Sequence, residues 1–438
     1  MMDSFVVPLP DDSLKFKVNN VRKAFLKTSQ IANKDRAKAL NLMADALHNN
    51  MEKILEANKL DYQLAQKKAI SNALLSRLRL SKDKLLEGIQ GIREVSRLND
   101  PVGQLQIHRE LADNLILQRK TVPIGVIGVI FESRPDAVMQ ISALAIRSGN
   151  CVILKGGSES NLTNTEICEA LKEGLRLSTI DENSICLLTN RKDSMAMLNL
   201  EKEINLIIPR GSNELVKFIQ ENTKIPVLGH ADGICHLYID RDSDIEMAIK
   251  VALDSKIQYP AACNAIETLL IHKDVANEFL TKATPLFKEN NVQLRGDEKA
   301  RCFVEIAPAI SDDWATEYLD LILSIKIVED IDEAIRHIEV YGSRHTDGII
   351  SNDINNANKF MNSVGSAGVF HNCSTRFADG FRYGFGAEVG ISTQAMPPRG
   401  PVGLEGLVTY KYFLKGEGQI VEEFASGAKE FKHENIIK

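Results

Sequence analysis

Over residues 14–98 apolar side chains return every three or four positions, as in Ala39, Leu42, Met43, Ala46 and Leu47, and Lys and Glu are dense between them. That spacing puts one apolar stripe along a 3.6-residue helix, so several amphipathic helices are predicted here. The period then changes. Leu105-Gln106-Ile107-His108-Arg109 and Leu115-Ile116-Leu117-Gln118-Arg119 are strand-like runs either side of Ala112-Asp113-Asn114, which predicts a β-hairpin.

After Pro123 apolar strand candidates alternate with helical patterns: strand 125–131, helix 135–148, strand 151–154, helix 161–175, strand 185–188. This βαβαβ rhythm predicts a parallel, doubly wound sheet. Residues 204–209 continue it and Arg210-Gly211-Ser212-Asn213 opens another helix. A second α/β series runs from about 235–240 to 372. The chain closes on residues 400–412 and a charged end that is expected to fray.

The chain has 438 residues, more than one core usually holds, so two or three domains are expected. A net charge of −6 argues against a nucleic-acid partner. Seven scattered cysteines, with no C-x-x-C pair and no histidines at zinc spacing, point to free thiols, a reducing compartment and no metal site. Residues 1–12 have neither the basic nor the apolar part of a secretory signal, and the longest apolar run, 126–131, is too short to cross a bilayer. A cytoplasmic protein without membrane contact is expected.

The densest chemistry lies at Gln258-Tyr259-Pro260-Ala261-Ala262-Cys263-Asn264, a Pro-broken loop followed by the apolar, β-branched run 265–271. A thiol at a strand-edge turn is reachable by substrate, and backbone N–H groups there can steady a thiolate or an oxyanion. A cysteine is otherwise a small buried apolar residue. No clear G-x-G-x-x-G is present, but Gly211-Ser212 at a strand-to-helix turn can aim N–H groups at a pyrophosphate, and otherwise serves as a helix cap. Lys155-Gly156-Gly157-Ser158 ends another strand where a nucleotide could lie across the sheet edge. His230-Ala231-Asp232 offers a general-base pair or a structural hydrogen bond. Arg134, Arg376 and Arg382 stand in loops suited to gripping phosphate or carboxylate, or to surface ion pairs.

The order of these motifs resembles the aldehyde dehydrogenase superfamily from about residue 32 to 420, and within it the branch that reduces an acyl phosphate of glutamate. The pieces that carry the likeness are Tyr341-Gly342-Ser343-Arg344-His345-Thr346-Asp347 with the preceding 334–338, and residues 374–380, 386–393 and 399–407. The resemblance implies an aldehyde dehydrogenase-like α/β fold: two doubly wound parallel-sheet domains plus a β oligomerisation arm. The NADP-binding domain would comprise 1–103 and 121–229, the catalytic domain 230–398, the arm 104–120 and 399–420, and the C-terminal tail 421–438.

The activity it implies is NADPH-dependent reduction of L-glutamate 5-phosphate to L-glutamate 5-semialdehyde and phosphate, the second step from glutamate to proline. Cys263 matches the nucleophile. Ser133 falls where other members put an asparagine of the oxyanion hole, and His230 lies where the water-activating glutamate is usual. Glu317 resembles the glutamate that holds the nicotinamide ribose, and Lys155 the lysine at the adenosine ribose. Ser158 stands where NAD-preferring members carry an acid, which favours NADPH. Arg134 is the candidate for the leaving phosphate, Asn264 a substrate contact beside the nucleophile, and Arg376 and Arg382 the candidates for the α-carboxylate. Strand-exchanging arms imply at least a homodimer. A glutamate 5-kinase, the source of the labile acyl phosphate, is the transient partner that this reaction brings into view. The competing readings are an aldehyde-oxidising or CoA-acylating dehydrogenase of the same fold, and an inert relative, which would lack the cysteine.

Overall fold

The computed structural model describes residues 7–68, 70, 72–229 and 232–436. Five helices open the chain: Asp12–Thr28, Asn33–Asn49, Met51–Lys67, Asn72–Leu78 and Lys82–Arg97. The apolar stripe of the second buries Leu40, Met43 and Leu47 in the largest core, beside Leu85, Ile89 and Ile92 of the fifth. Strands β1 (Leu105–Ala112) and β2 (Leu115–Pro123) then pair antiparallel, and Asn114 turns the hairpin with φ 57, a left-handed conformation that asparagine tolerates.

Strands β3 (Val126–Phe131), β4 (Cys151–Lys155), β5 (Ile185–Leu187) and β6 (Leu206–Arg210) form a parallel sheet in the order β5-β4-β3-β6. Strand β3 shows no apolar–polar alternation because both its faces are covered. Ile127, Val129 and Phe131 pack into one core, and Val126 and Ile130 into another across the sheet.

A second, all-parallel sheet takes β7 (Cys235–Ile239), β8 (Ile266–His272), β9 (Gln293–Gly296), β10 (Ala307–Pro308), β11 (Ile322–Val328), β12 (Thr346–Ile350) and β13 (Gly368–His371), in the order β10-β9-β11-β8-β7-β12-β13. Strands β14 (Gly390–Ser392) and β15 (Gly400–Val402) pair with each other, and β16 (Val408–Lys415) returns to pair with β2.

The chain's end departs from expectation. It is charged but not frayed: Glu434–Asn435 forms β17 on the free edge of β1, giving the sheet order β16-β2-β1-β17. The edge of β1 offers unpaired backbone groups, which the tail satisfies through Lys432 N–H to Leu111 O and Ile436 N–H to His108 O, 2.7 Å each. Phe424 and Phe431 stack at 4.5 Å and Lys432 ion-pairs with Asp113, so local contacts rather than a hydrophobic period hold these residues.

In a parallel sheet all strands present like ends along one edge. The carboxyl ends of β3, β4 and β6 carry Glu132 to Arg134, Lys155 and Arg210, whereas Gly233, Cys263 and His345 lie just before β7, β8 and β12. The two edges meet at Asn213, after β6, whose side-chain N–H2 reaches Asp232, before β7, at 3.0 Å.

Candidate active site

Cys263 sits in a turn that Ala262 N–H to Tyr259 O and Ala265 N–H to Ala262 O close, between helix Ile245–Ile257 and β8. The residue as a whole is partly exposed, but its sulfur is turned into the protein. Burial pushes the thiol up to about 12, Glu317 and Glu388 push in the same direction, and Arg376 opposes them. Burial thus disfavours the thiolate, and the sulfur needs a proton acceptor to act as a nucleophile. His345 is placed to be one: its Nε2 stands 3.1 Å from the sulfur, and its Nδ1 lies 2.9 Å from Thr346 Oγ1.

The motif at residues 341–347 carries no local signal for a role of His345. The signal that would have found it is strand order. Strands β8 and β12 both flank β7, so residues just ahead of each share one edge. Gly233 packs against the Cys263 loop, for a Cβ there would lie 2.3 Å from Cys263 O and 2.7 Å from its Cα. Arg210 is a second residue missed. It ends β6, its Nη1 is 3.5 Å from Glu388 O, and burial and Arg134 lower its pKa while Glu388, Asp136 and Cys263 oppose that.

The other sequence candidates divide into those near the sulfur and those away from it. Arg376 is buried, its Nε donates to Gln258 Oε1 at 2.9 Å, and its pKa is lowered by burial and by Arg382, with Cys263 acting in the opposite sense. Arg382 is exposed and donates to Arg376 O. Arg134 is exposed beside Arg210 and Glu388. Asn264 is buried and its side-chain N–H2 donates to Ala378 O at 2.9 Å, so it anchors the loop that bears Arg376 and Arg382.

Ser133 is held at φ 41, and its N–H (3.0 Å) and hydroxyl both donate to Glu159. Both hydrogen-bond donors of Ser133 are therefore taken in this structure. His230 lies outside the described residues.

Along the edge of the first sheet Lys155 is buried, and burial lowers its pKa against the pull of Glu159. Its ammonium donates to Gly156 O. Ser158 is exposed and opens the turn Ser158–Ser160. Gly211 and Ser212 form the strand-to-helix turn. Ser212 caps helix Asn213–Asn222, and its own N–H is held by Glu132 Oε2 at 3.0 Å. A Cβ on Gly211 would lie 2.6 Å from that same oxygen. Glu317 accepts from Asn213 at 2.9 Å and acts electrostatically on Cys263, so this carboxylate lies between the helix terminus and the thiol.

Known proteins resemble this chain in sequence and fold. The aldehyde dehydrogenase family model matches residues 11–322. A gamma-glutamyl phosphate reductase of Prochlorococcus marinus subsp. pastoris is 70% identical over 436 residues, covering 100% of each chain. The crystal structure of gamma-glutamyl phosphate reductase from Thermotoga maritima superposes with a TM-score of 0.91 at 39% identity, over 93% of this chain and 100% of that one. The fold also resembles glyceraldehyde-3-phosphate dehydrogenase GapN from Methanocaldococcus jannaschii, solved in complex with NADP, with a TM-score of 0.63 at 16% identity over 94% of this chain and 96% of that one.

Proposed function

From the premise that this chain belongs to the aldehyde dehydrogenase family, and within it to the gamma-glutamyl phosphate reductases, we propose that it reduces L-glutamate 5-phosphate to L-glutamate 5-semialdehyde with NADPH, through a thioester on Cys263, as a step of proline biosynthesis. The observation that carries the mechanism is the 3.1 Å approach of His345 Nε2 to the sulfur.

His345 takes the thiol proton, and the sulfur attacks the acyl carbon. The carbon–oxygen bond to phosphate breaks and phosphate leaves, drawn by the positive edge of Arg134 and Arg210. NADPH, which Lys155, Ser158, Gly211, Ser212 and Glu317 would hold, would supply the hydride that reduces the thioester carbon. The carbon–sulfur bond of the resulting hemithioacetal alkoxide then breaks as the aldehyde forms, and Cys263 is returned as thiolate, which takes back the proton held by His345. Arg376, buried beside the sulfur, is placed to pair with the substrate α-carboxylate, with Arg382 next to it.

The residues along the first sheet's edge suit an anionic dinucleotide. Lys155 is a buried cation whose hydrogen bond is to its neighbour's carbonyl, and Gly211 lets the backbone run where a Cβ would strike Glu132. We assign Lys155 and Ser158 to the adenosine ribose and its phosphate, Gly211 and Ser212 to the pyrophosphate, and Glu317 to the nicotinamide ribose. The domain assignment follows: residues 1–103 and 121–229 for NADP, 230–398 for catalysis, and 104–120 with 399–420 as the arm. On β16, Tyr410, Tyr412, Phe413 and Leu414 are exposed, which supports a second copy as the arm's partner. Among the described residues no helix is long and apolar enough to cross a membrane.

The test is the reverse reaction. With glutamate semialdehyde in excess, reduction of NADP should require inorganic phosphate, because phosphate must release the acyl group from sulfur. Equal rates in phosphate-free buffer, with free glutamate as product, would instead mark a hydrolytic aldehyde dehydrogenase.

A further inference from the structure

Two charges with no solvent-exposed side-chain surface flank the Cys263 loop in sequence. Lys256 is next to last in helix Ile245–Ile257, ahead of the Cys263 loop, and Glu267 is the second residue of β8, after it. The side chains are 0% exposed and Nζ is 2.5 Å from Oε2. Burial raises the Glu267 carboxyl and lowers the Lys256 ammonium, and each partner opposes the shift in the other. An apolar pair of similar volume would serve the core as well or better, so stability alone does not call for these residues.

The second carboxylate oxygen shows what they do. Oε1 of Glu267 accepts the N–H of Leu319 at 3.3 Å, two residues beyond Glu317. Leu319 holds φ 53, in the left-handed region that L residues seldom adopt. Between them Tyr318 is fixed through its hydroxyl to Asp313 Oδ1 at 2.7 Å and Ser324 Oγ at 2.8 Å, and its ring centroid is 6.0 Å from the Lys256 ammonium. One carboxylate thus fastens both ends of the nucleophile loop and the backbone next to Glu317.

We propose that Glu267, held by Lys256, is a positioning residue that sets the placement of Glu317 relative to Cys263, and so ties cofactor binding to the nucleophile. This rests on the reading of Glu317 as a cofactor contact. The pair touches neither substrate nor cofactor and acts through the Leu319 backbone.

The test compares two neutral pairs by NADPH Kd from fluorescence titration and by melting temperature. Lys256→Met/Glu267→Met fills the core but offers Leu319 no acceptor, and should weaken NADPH binding about tenfold while melting no lower than the unaltered chain. Lys256→Met/Glu267→Gln keeps a carbonyl oxygen for Leu319 and should stay within about threefold. If the methionine pair does not fold, Lys256→Leu/Glu267→Leu carries the same comparison. A folded apolar pair with unaltered NADPH Kd overturns the proposal, as does a glutamine pair as impaired as the apolar one. Glu317→Ala separates the two levels. If it weakens NADPH while the apolar pair does not, the inference alone falls; if it leaves NADPH binding unchanged, the cofactor role of Glu317 falls with it.

Discussion

Gly233 and Cys263 are packed so closely that any side chain at position 233 would overlap the nucleophile's own backbone, with a Cβ 2.7 Å from Cys263 Cα and 2.3 Å from its carbonyl oxygen. The same carbonyl accepts the S–H of Cys235 at 3.2 Å, so a shift of the loop would also break that contact. Gly233→Ala should therefore shift the sulfur away from His345 and lower turnover by about a hundredfold, the usual result of a displacement of about 1 Å in a reacting group. Steady-state kinetics with an NADPH titration checks this, since binding at the other sheet edge should change little. Near-normal turnover would mean that the loop is softer than its packing indicates.

Glu132 holds the Ser212 N–H at the terminus where a cofactor phosphate would sit. A carboxylate there repels the phosphate and must turn aside. Glu132→Gln removes the charge and should tighten NADPH by about fivefold, equivalent to about 1 kcal/mol of relieved repulsion. Weaker binding on titration would show that the charge is needed to shape the turn.

Ser158 is exposed at the end of β4, beyond the buried Lys155. A hydroxyl there can donate to a ribose 2′-phosphate, whereas a carboxylate would repel it. Ser158→Glu should lower the ratio of NADPH to NADH efficiency by at least about tenfold. An unchanged ratio would place discrimination elsewhere on the edge.

His345 offsets a thiol whose burial holds it near 12. Removing the proton acceptor while keeping an amide of similar size, as in His345→Gln, should cut turnover by about 10²- to 10⁴-fold with NADPH Kd preserved. The alkylation rate of Cys263 by iodoacetamide should fall in parallel. A variant with normal alkylation and turnover would show that the thiol ionises without this histidine.

Much of this architecture is legible in the sequence because it follows from periodicity. The all-buried run 126–131 and the stripe through Leu40, Met43 and Leu47 announce a covered parallel strand and an amphipathic helix. Asp113-Asn114 announces the hairpin. The tail strand Glu434–Asn435 is too short to carry a period, and its pairing depends on an edge more than three hundred residues earlier. His345 and Arg210 escaped for another reason. Each lies at a strand end, and which strand ends share an edge depends on the order β8-β7-β12 in one sheet and β3-β6 in the other, which no local pattern encodes. Ser133 shows the converse: its place along the chain matches an oxyanion donor of the resembled family, while the contact of its N–H and hydroxyl with Glu159 is visible only in space.

The central claim is that Cys263 alone carries the acyl group, and the most direct measurement replaces each of the seven cysteines, all of them unpaired, by alanine in turn. Cys263→Ala should lose turnover while binding NADPH within about threefold of the unaltered chain, and the other six variants should remain active. Retention of more than about a tenth of the turnover by Cys263→Ala, a barrier change of under ~1.4 kcal/mol, would contradict the covalent mechanism.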